Sequence, residues 1–469
     1  MQDSLRGLTS IFHTRVTSVH TRYLWVAGAC LSLNTASDLS NSFANAPHFG
    51  GPLVAWFTFI AFLGLFGLGV AAVWRWRAMP LSPALPRTIL IYALLLWALW
   101  TGTQAIGVIA RIPTTLASTA NYGSDELYFA QYNAWLFLHG ENPYHGDHLS
   151  AILATFPDAG VTPIRRPPFS DPLRPPTPAQ ISAIIATYRA MSAAPHPQLE
   201  PATTHSYPAL SFLLAVPSVA LGLPTLGYMQ VLGLVALLAM LVALAPTRWR
   251  IVIVLLCLMN VDGIRSVASS DFEIWPILAL ALVWLLRERR WGAVVALGAA
   301  CSIQQTAWFA APFYIVWVSH RRGWQAALRE GAAAIGIFAL INLPWIIRTP
   351  AEWLHSLLLP MTLPLFPTGG GLVGLALGGA LPLFPPLLYT LLEFGTLVGL
   401  LYVYQRWLPR MPYVGIILPT LPLLFAWRSP SRYFILLPFL IVLAMLLTQR
   451  EEDESSDVAW ALSDGNDLT

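Results

Sequence analysis

The chain has 469 residues, of which 56% are hydrophobic and only 10% are charged. A soluble protein carries roughly a quarter charged residues, so this composition excludes an ordinary soluble globule and indicates an outer surface that faces lipid. The net charge of +3 gives no indication of nucleic-acid binding. Length alone would suit about three soluble domains, but the hydropathy favours one membrane domain.

Runs of apolar residues of membrane length recur along the chain. A bilayer core about 30 Å thick needs about 20 apolar residues per helix, and on this basis we expect an all-α polytopic protein of about twelve transmembrane helices. The predicted spans are 23–41, 52–74, 88–110, 225–245, 250–264, 267–286, 291–304, 306–319, 329–347, 384–404, 412–428 and 432–448. The apolar segment 207–223 is interrupted by Pro208 and Pro217 and is predicted to be re-entrant or interfacial.

The arginines predict the orientation, because cytoplasmic connections are enriched in positive charge. Four short connections carry arginine clusters: Arg75, Arg77 and Arg87; Arg287, Arg289 and Arg290; Arg321 and Arg322; Arg406 and Arg410. With all four in the cytoplasm, the spans alternate consistently and both termini lie inside. The acidic residues from 449 to 469 are then expected to form a disordered cytoplasmic tail.

The long polar segment 111–206 is external on this topology. It is rich in proline and contains two short amphipathic patterns, 126–138 and 178–191, that predict helices lying on the membrane surface. Pro143 follows Asn142 and ends the first of them.

Polar residues beside or within spans gather on the predicted external face. Lipid cannot hydrogen-bond such groups, so they are functional candidates. They are Asp125, Glu126, His205, Tyr207, Asp262, Arg265, Asp271, Glu273, Gln304, Gln305, Arg348, Glu352, His355, Arg428 and Arg432. This clustering predicts a catalytic or transport cavity that opens to the outside.

Each of these groups also has a purely structural interpretation. Asp125 and Glu126 suit the first turn of a helix, where acids satisfy free N–H groups. Arg428 and Arg432 suit interfacial anchors whose charged ends reach water. Nothing in the sequence indicates a metal, and the three cysteines are expected to be packed, inert thiols. Glu393 lies inside a predicted span without an evident polar partner.

Several motifs resemble those of the C-type (GT-C) integral membrane glycosyltransferases, in particular the bacterial branch that uses polyprenol-phosphate-mannose. The segment from Ser124 to Tyr144, with its acid pair and its Gly-x-Asn-Pro-Tyr exit, resembles their first external loop. The weaker resemblances are in 205–210, 271–276, 303–313 and 342–353. The resemblance covers roughly residues 86–448, with 1–85 as an N-terminal tail and two extra spans.

The resemblance implies transfer of a sugar from a polyprenyl phosphate to an acceptor hydroxyl, usually with inversion, outside the cytoplasmic membrane. Asp125 would be the general base, with Glu126 as its substitute or as a group that orients the acceptor. The implied substrate-binding residues are Tyr128, Tyr144, His205, Tyr207, Asp271, Gln304, Gln305, Arg348, His355, Arg428 and Arg432. Arg348, Arg428 and Arg432, with His205 as a lesser candidate, would bind the lipid phosphate.

The implied partners are a polyprenyl-phosphate sugar (a mannose-like hexose or a pentose), a glycan or glycolipid acceptor and the bilayer, with no cofactor. The chain departs from the resemblance where Gln304 stands in place of a lysine found in many relatives, since the chain has none. A multi-pass transporter or flippase, or a catalytically inactive relative, remains the alternative.

Overall fold

The computed structural model describes residues 21–40, 51–74, 84–122, 124–146, 148–156, 158–159, 162, 164–165, 170–174, 177–190, 205–268 and 273–466. The α-helices are α1 (21–40), α2 (Gly51–Val73), α3 (Ala84–Leu116), α4 (Asp125–Leu138), α5 (Leu149–Thr155), α6 (Pro178–Ala190), α7 (Leu210–Leu213), α8 (Val216–Ala220), α9 (Gly227–Leu244), α10 (Arg250–Met259), α11 (Val261–Ala268), α12 (Ile274–Leu285), α13 (Arg290–Ile303), α14 (Thr306–Arg322), α15 (Trp324–Arg348), α16 (Pro350–Thr362), α17 (Leu372–Leu377), α18 (Pro386–Trp407) and α19 (Leu437–Asn466). Short 3₁₀ helices span Thr119–Asn121, Thr247–Trp249, Pro412–Ile416, Leu418–Phe425 and Ser431–Tyr433. The strands β1 (Thr368–Gly369) and β2 (Arg428–Ser429) pair in parallel.

Helix α19 forms the centre of the fold. Its residues from Leu437 to Leu447 are all buried, and it packs against α2, α9, α10 and α12. By contrast, α18 exposes large apolar side chains such as Leu387, Leu391 and Val398. An apolar surface of this kind is expected where a helix faces lipid.

Five apolar segments in the described parts of the chain are long enough to cross a membrane: Gly51–Val73, Gly227–Leu244, Trp324–Arg348, Pro386–Trp407 and Ser431–Ser455. A sixth arises if Thr247–Met259 and Val261–Ala268, which are bent by 69°, form one span. The chain is therefore an all-α, multi-pass membrane protein.

The prediction of about twelve spans is corrected to five or six within the described residues. Helices α12 and α13 have 12 and 14 residues. At 1.5 Å per residue they extend only about 18–21 Å, less than a bilayer core of about 30 Å. The predicted span 412–428 forms two 3₁₀ helices, because Pro412, Pro419 and Pro422 interrupt α-helical hydrogen bonding.

The acidic C-terminal segment, for which the sequence predicts disorder, is helical to Asn466. Arg22 binds Glu452 at 2.7 Å, and Arg321 binds Glu451. Arg450 also binds Glu454 at 2.9 Å, one helical turn away. The pairs with Arg22 and Arg321 hold the start of the acidic segment against the rest of the fold.

Both helices predicted in the long polar segment are confirmed, as α4 and α6. The segment 207–223 is not a span, since it forms only the short helices α7 and α8, which pack against α4. Arg75 and Arg77 lie outside the described residues.

A cluster of arginines surrounds one end of α14. Arg287, Arg290, Arg321 and Arg322 lie together at one end, where Arg322 Nη2 donates to the carbonyl oxygen of Arg287. We call this end the arginine face. Helix α14 ends there, whereas Gln304 and Gln305 precede its opposite end. Over 17 residues that helix separates its two ends by about 25 Å.

Candidate functional site

The acid pair begins helix α4. Ser124 is the N-cap residue in an extended conformation, so Asp125 and Glu126 form the first turn, where the helix dipole favours negative charge. Asp125 is partly buried and its carboxylate accepts a hydrogen bond from the Thr162 hydroxyl. Glu126 is buried. Both side chains line a cavity of about 300 Å³.

The strand pair β1–β2 holds Arg428 at the same cavity. Thr368 pairs with Arg428 and Gly369 with Ser429, and the Gly370 N–H donates to the Ser429 carbonyl at 3.2 Å. Gly369 has a φ of +117°, and a Cβ there would lie 1.8 Å from the Ser429 carbonyl oxygen. Only glycine fits this close approach of two backbones.

Arg432 reaches the cavity from the 3₁₀ helix Ser431–Tyr433. Its Nε is buried and has no hydrogen-bond partner in the described part of the chain. Likewise, no ion pair joins Arg428 or Arg432 to a carboxylate within the ranges given above. The two guanidinium groups therefore keep donors for an anion that enters the cavity.

The charges act on one another across this cavity. Burial lowers the pKa of Arg428 and the charge of Arg432 lowers it too, while Tyr433 and Asp125 oppose that change. Burial raises the pKa of Tyr207 well above its ordinary value, Glu126 raises it further, and Arg432 opposes the rise. The acids and arginines thus share one electrostatic environment.

Hydrogen bonds to two carbonyl oxygens hold the backbone at Tyr207. The Tyr144 hydroxyl donates to the Tyr207 carbonyl oxygen at 2.8 Å, and Gln305 Nε2 donates to the carbonyl of Ser206. His205 Nε2 lies 2.7 Å from Ser211 Oγ. Burial lowers the pKa of His205 to about 3, so this imidazole is neutral at ordinary pH.

Gln304 is tied to an acid on a neighbouring element. Its Nε2 donates to Glu273 Oε1 at 3.1 Å, and its Oε1 accepts from the Thr306 hydroxyl at 2.8 Å. Both Gln304 and Glu273 are buried. A neutral amide that is already bonded to a carboxylate contributes no positive charge to the cavity.

The apolar part of the cavity wall comes mainly from α14, α16 and α18. It is formed by Phe129, Trp308, Phe309, Leu357, Leu359, Pro360, Met361, Leu365, Phe394, Leu397, Leu423, Ala426 and Trp427. Met361 and Phe394 are also exposed on the outside of the helices, at 62% and 42%. The cavity thus extends from the charged groups to the lipid-facing flank of the bundle.

Part of the long polar segment 111–206 lies against the cavity. Thr162 bonds Asp125, Ile164 forms an antiparallel bridge with Leu365, and Arg165 stacks over Trp427 with 5.7 Å from Cζ to the ring centre. Trp427 Nε1 also donates to the Leu365 carbonyl at 2.8 Å. Thr162, Ile164 and Arg165 thus link the acid pair to the region next to Arg428.

The structure brings together seven of the residues that the sequence singled out. They are Asp125, Glu126, Tyr207, Gln304, Gln305, Arg428 and Arg432, and all of them line the cavity. Asp271 lies outside the described residues. Seven residues from four separate parts of the chain therefore converge, as the clustering of polar groups predicted.

Five predicted residues lie elsewhere. Arg348 and His355 are exposed and do not line the cavity, which corrects the expectation that Arg348 faces Asp125. Arg348 ends α15 on its exposed side, whereas Trp345, three residues earlier, is buried.

Tyr128, Tyr144 and His205 are buried behind the cavity wall. The Tyr128 hydroxyl donates to the carbonyl oxygens of Thr119 and Asp158, at 3.0 and 3.1 Å. None of the three lines the cavity, and neutral His205 supplies no charge, so the structure gives no support to their predicted roles in sugar stacking and phosphate binding.

The cavity lining also includes polar residues that the sequence did not single out as substrate-binding: Thr162, Ser206, Thr306, Glu393 and Tyr433. The sequence did offer an indication for Glu393, because it is an acid inside a predicted span. Thr162 had none, since it lies in an irregular proline-rich loop. The described residues contain no cluster of three or more His, Cys, Asp or Glu side chains suited to a metal.

Comparisons of the chain with protein-family models, curated proteins and solved structures found no match.

Proposed function

We propose that the protein is a membrane glycosyltransferase that moves a mannose-like hexose or a pentose from a polyprenyl phosphate to the hydroxyl of a glycan or glycolipid. The observation that carries this proposal is the cavity in which the Asp125–Glu126 pair faces Arg428 and Arg432 beside an apolar wall. A lipid-linked, anionic donor and a hydroxyl acceptor together require these three features.

Asp125 is the proposed general base. The donor leaves as a phosphate and needs no strong acid, but the acceptor hydroxyl must lose its proton as it attacks C1 of the sugar. A carboxylate at hydrogen-bonding distance takes that proton. The hydrogen bond from Thr162 fixes one oxygen of Asp125 and leaves the other available to the acceptor. Glu126 orients the acceptor or substitutes as the base, and attack opposite the phosphate inverts the anomeric centre.

Arg428 and Arg432 are the proposed phosphate-binding groups. As the bond to C1 breaks, negative charge grows on the phosphate oxygens, and guanidinium groups stabilise it through paired hydrogen bonds. Both residues come from one short segment, so they approach the phosphate from the same side. They replace the lysine that the resemblance would put at Gln304, whose amide is bonded to Glu273 instead.

The apolar wall suits the polyprenyl chain. Its exposed ends at Met361 and Phe394 let a lipid tail pass between α16 and α18 into the bilayer. The arginine face lies on the opposite side of the membrane and is the cytoplasmic side by the positive-inside rule. The cavity therefore opens to the outside of the cytoplasmic membrane.

A transporter or flippase of lipid-linked substrates is the second candidate. It is favoured by Glu393, an acid on a candidate span that lines the apolar part of the cavity, because ionisable groups within spans often mark substrate paths. The two functions differ in their products: an enzyme forms a new glycosidic bond, whereas a flippase only moves its substrate.

The test uses purified full-length protein in vesicles with polyprenyl-phosphate mannose or pentose and a panel of glycan acceptors. We expect a glycosylated product from the wild type and a loss of about 100- to 10,000-fold in Asp125→Asn. Glu126→Gln is assayed separately. Asp171→Asn is the matched control, since Asp171 is an exposed acid of the same loop.

Full activity in both Asp125→Asn and Glu126→Gln would refute the assignment of the base. If the donor were translocated but no acceptor in the panel were glycosylated, the result would support the flippase and contradict the glycosyltransferase. Binding of the donor without transfer or translocation would indicate the inactive relative.

A further inference from the structure

A separate polar cavity of about 240 Å³ lies between α1, α3 and α11, outside the proposed active site. Its lining includes Asp38, Trp97, Trp100, Asp262 and Arg265. None of these residues lines the cavity around Asp125. Polar groups on the flank of a membrane bundle are functional candidates, because lipid cannot form hydrogen bonds with them.

The ion pair in this cavity is only half satisfied. Arg265 Nη1 binds Asp262 Oδ1 at 2.7 Å. The Asp262 side chain is 8% exposed, and its Oδ2 has no hydrogen-bond partner among the residues that the structure describes. The Arg265 side chain is 50% exposed and keeps further N–H donors beyond the one that binds Asp262. The pair thus presents one buried acceptor and several donors.

The walls around this pair suit a cation that is attached to a lipid. Trp97 and Trp100 both line the cavity, and tryptophan faces attract ammonium groups. Trp100 is 65% exposed, and next to it Leu99 is 69% exposed. On a membrane bundle this apolar surface is in contact with acyl chains.

The cavity lies close to the level of the active site. The Cβ of Ser40, two residues after Asp38, lies 3.2 Å from where a Cβ on Gly370 would be. Gly370 in turn donates to Ser429, the neighbour of Arg428. Asp38 is therefore near the membrane face that holds the proposed phosphate site, where lipid headgroups are found.

The charges exclude simpler ligands. A metal ion prefers more oxygen ligands than two carboxylates provide, and the described residues contain no suitable cluster of three. An anion alone would meet Asp38 and Asp262 as well as Arg265, and a cation alone would meet Arg265. A ligand that carries both charges satisfies Asp262 Oδ2 and the free donors of Arg265 together.

We propose that this cavity binds the headgroup of a zwitterionic phospholipid with a primary ammonium group, such as phosphatidylethanolamine. The ammonium donates to Asp262 Oδ2 and lies against the tryptophan rings, with Asp38 as a second carboxylate. The phosphate accepts from Arg265, and the acyl chains lie along Leu99 and the exposed side of α3. A choline headgroup has no N–H donor for Asp262, and a glycerol headgroup has no cation.

The test reconstitutes the full-length protein into nanodiscs that contain equal parts of phosphatidylethanolamine, phosphatidylcholine and phosphatidylglycerol, and identifies retained lipid by native mass spectrometry. We expect one retained phosphatidylethanolamine per protein and at least tenfold weaker retention in Arg265→Gln and in Asp38→Asn. Trp100→Leu should weaken retention severalfold.

Matched controls keep the test specific. Arg329→Gln removes an exposed arginine elsewhere, and Trp324→Leu removes a tryptophan that is as exposed as Trp100, at 65%. Neither should change retention. Equal retention of the three lipids, or equal losses in Arg265→Gln and Arg329→Gln, would overturn the proposal. If soluble glycerophosphoethanolamine displaced the lipid with an affinity equal to that of the lipid itself, the acyl chains would not contribute to binding, and a membrane lipid would not be the ligand.

Discussion

The arginine face and the proposed active site both combine arginines with carboxylates, but they arrange them differently. At the arginine face, Glu330 is 1% exposed and accepts from both Arg290 and Arg322 at 3.1 Å. In the cavity, Arg428 and Arg432 form no ion pair with any carboxylate of the described chain, although Asp125 and Glu126 line the same space.

This difference in pairing indicates that the arginine face stabilises the fold, whereas the cavity arginines are available for ligand binding. Charges in direct contact satisfy each other, so removing one leaves its partner uncompensated and weakens the fold. Charges that are held apart across a cavity keep their capacity to bind a ligand, and the fold loses little when one is removed. The following predictions test this contrast, beginning with the largest expected effect.

Arg432→Gln should lower the kcat/KM for sugar transfer by about 100- to 1,000-fold, because one donor to the developing phosphate charge is lost. The thermal midpoint should stay within a few degrees of the wild type. Arg322→Gln, at the arginine face, is the matched control and should lower stability with unchanged transfer per folded molecule. Equal effects of both variants on transfer would contradict the contrast.

Glu330→Gln should lower the free energy of unfolding by about 3 kcal/mol, because Arg290 and Arg322 lose their shared buried partner. The thermal midpoint in detergent measures this loss. Glu454→Gln breaks the exposed pair with Arg450 and should change stability by no more than about 0.5 kcal/mol. Similar midpoints for the two variants would argue against a stabilising role of the arginine face.

Gly369→Ala should cost about 2 kcal/mol and reduce transfer roughly tenfold, since the added Cβ meets the Ser429 carbonyl and displaces Arg428. Gly379→Ala is the control, because Gly379 also has a positive φ, +76°, but has no atom within 4 Å of the added Cβ. Both variants should lose stability, and only Gly369→Ala should lose transfer. Unchanged transfer in that variant would mean that β1 does not position Arg428.

The smallest effect is a pH dependence from His205, whose pKa burial lowers to about 3. In the unfolded chain His205 becomes protonated below about pH 6.5, whereas in the native protein it stays neutral. Its contribution to the free energy of unfolding is therefore complete above about pH 6.5 and decreases as the pH falls below that value. At pH 5 the loss is about 2 kcal/mol relative to pH 7.5.

His205→Gln should be less stable than the wild type at pH 7.5 and should lack this part of the acid-induced loss, so that thermal midpoints of the two proteins converge at pH 5. Exposed His320 provides the control, and His320→Gln should keep the wild-type pH dependence. A constant difference between His205→Gln and the wild type at both pH values would contradict the buried, neutral state.

Composition and local sequence patterns are sufficient to predict the membrane class, the start of α4 at its acid pair and seven of the residues in the cavity. These follow from composition, from helical spacing and from the rarity of polar groups beside apolar runs, all of which are local properties. The number of spans was overestimated because an apolar run such as 412–428 can be buried inside the helix bundle without crossing the membrane.

Which polar groups share a cavity depends on the packing of the helices and cannot be read from local patterns. Arg348 and Arg428 are both arginines beside apolar helices, yet one is exposed and the other is held at the cavity by the pairing of β1 with β2. Thr162 reaches Asp125 through a loop without any periodic pattern. Contacts between residues far apart in the chain depend on how all the helices pack, and no short segment of the sequence contains that information.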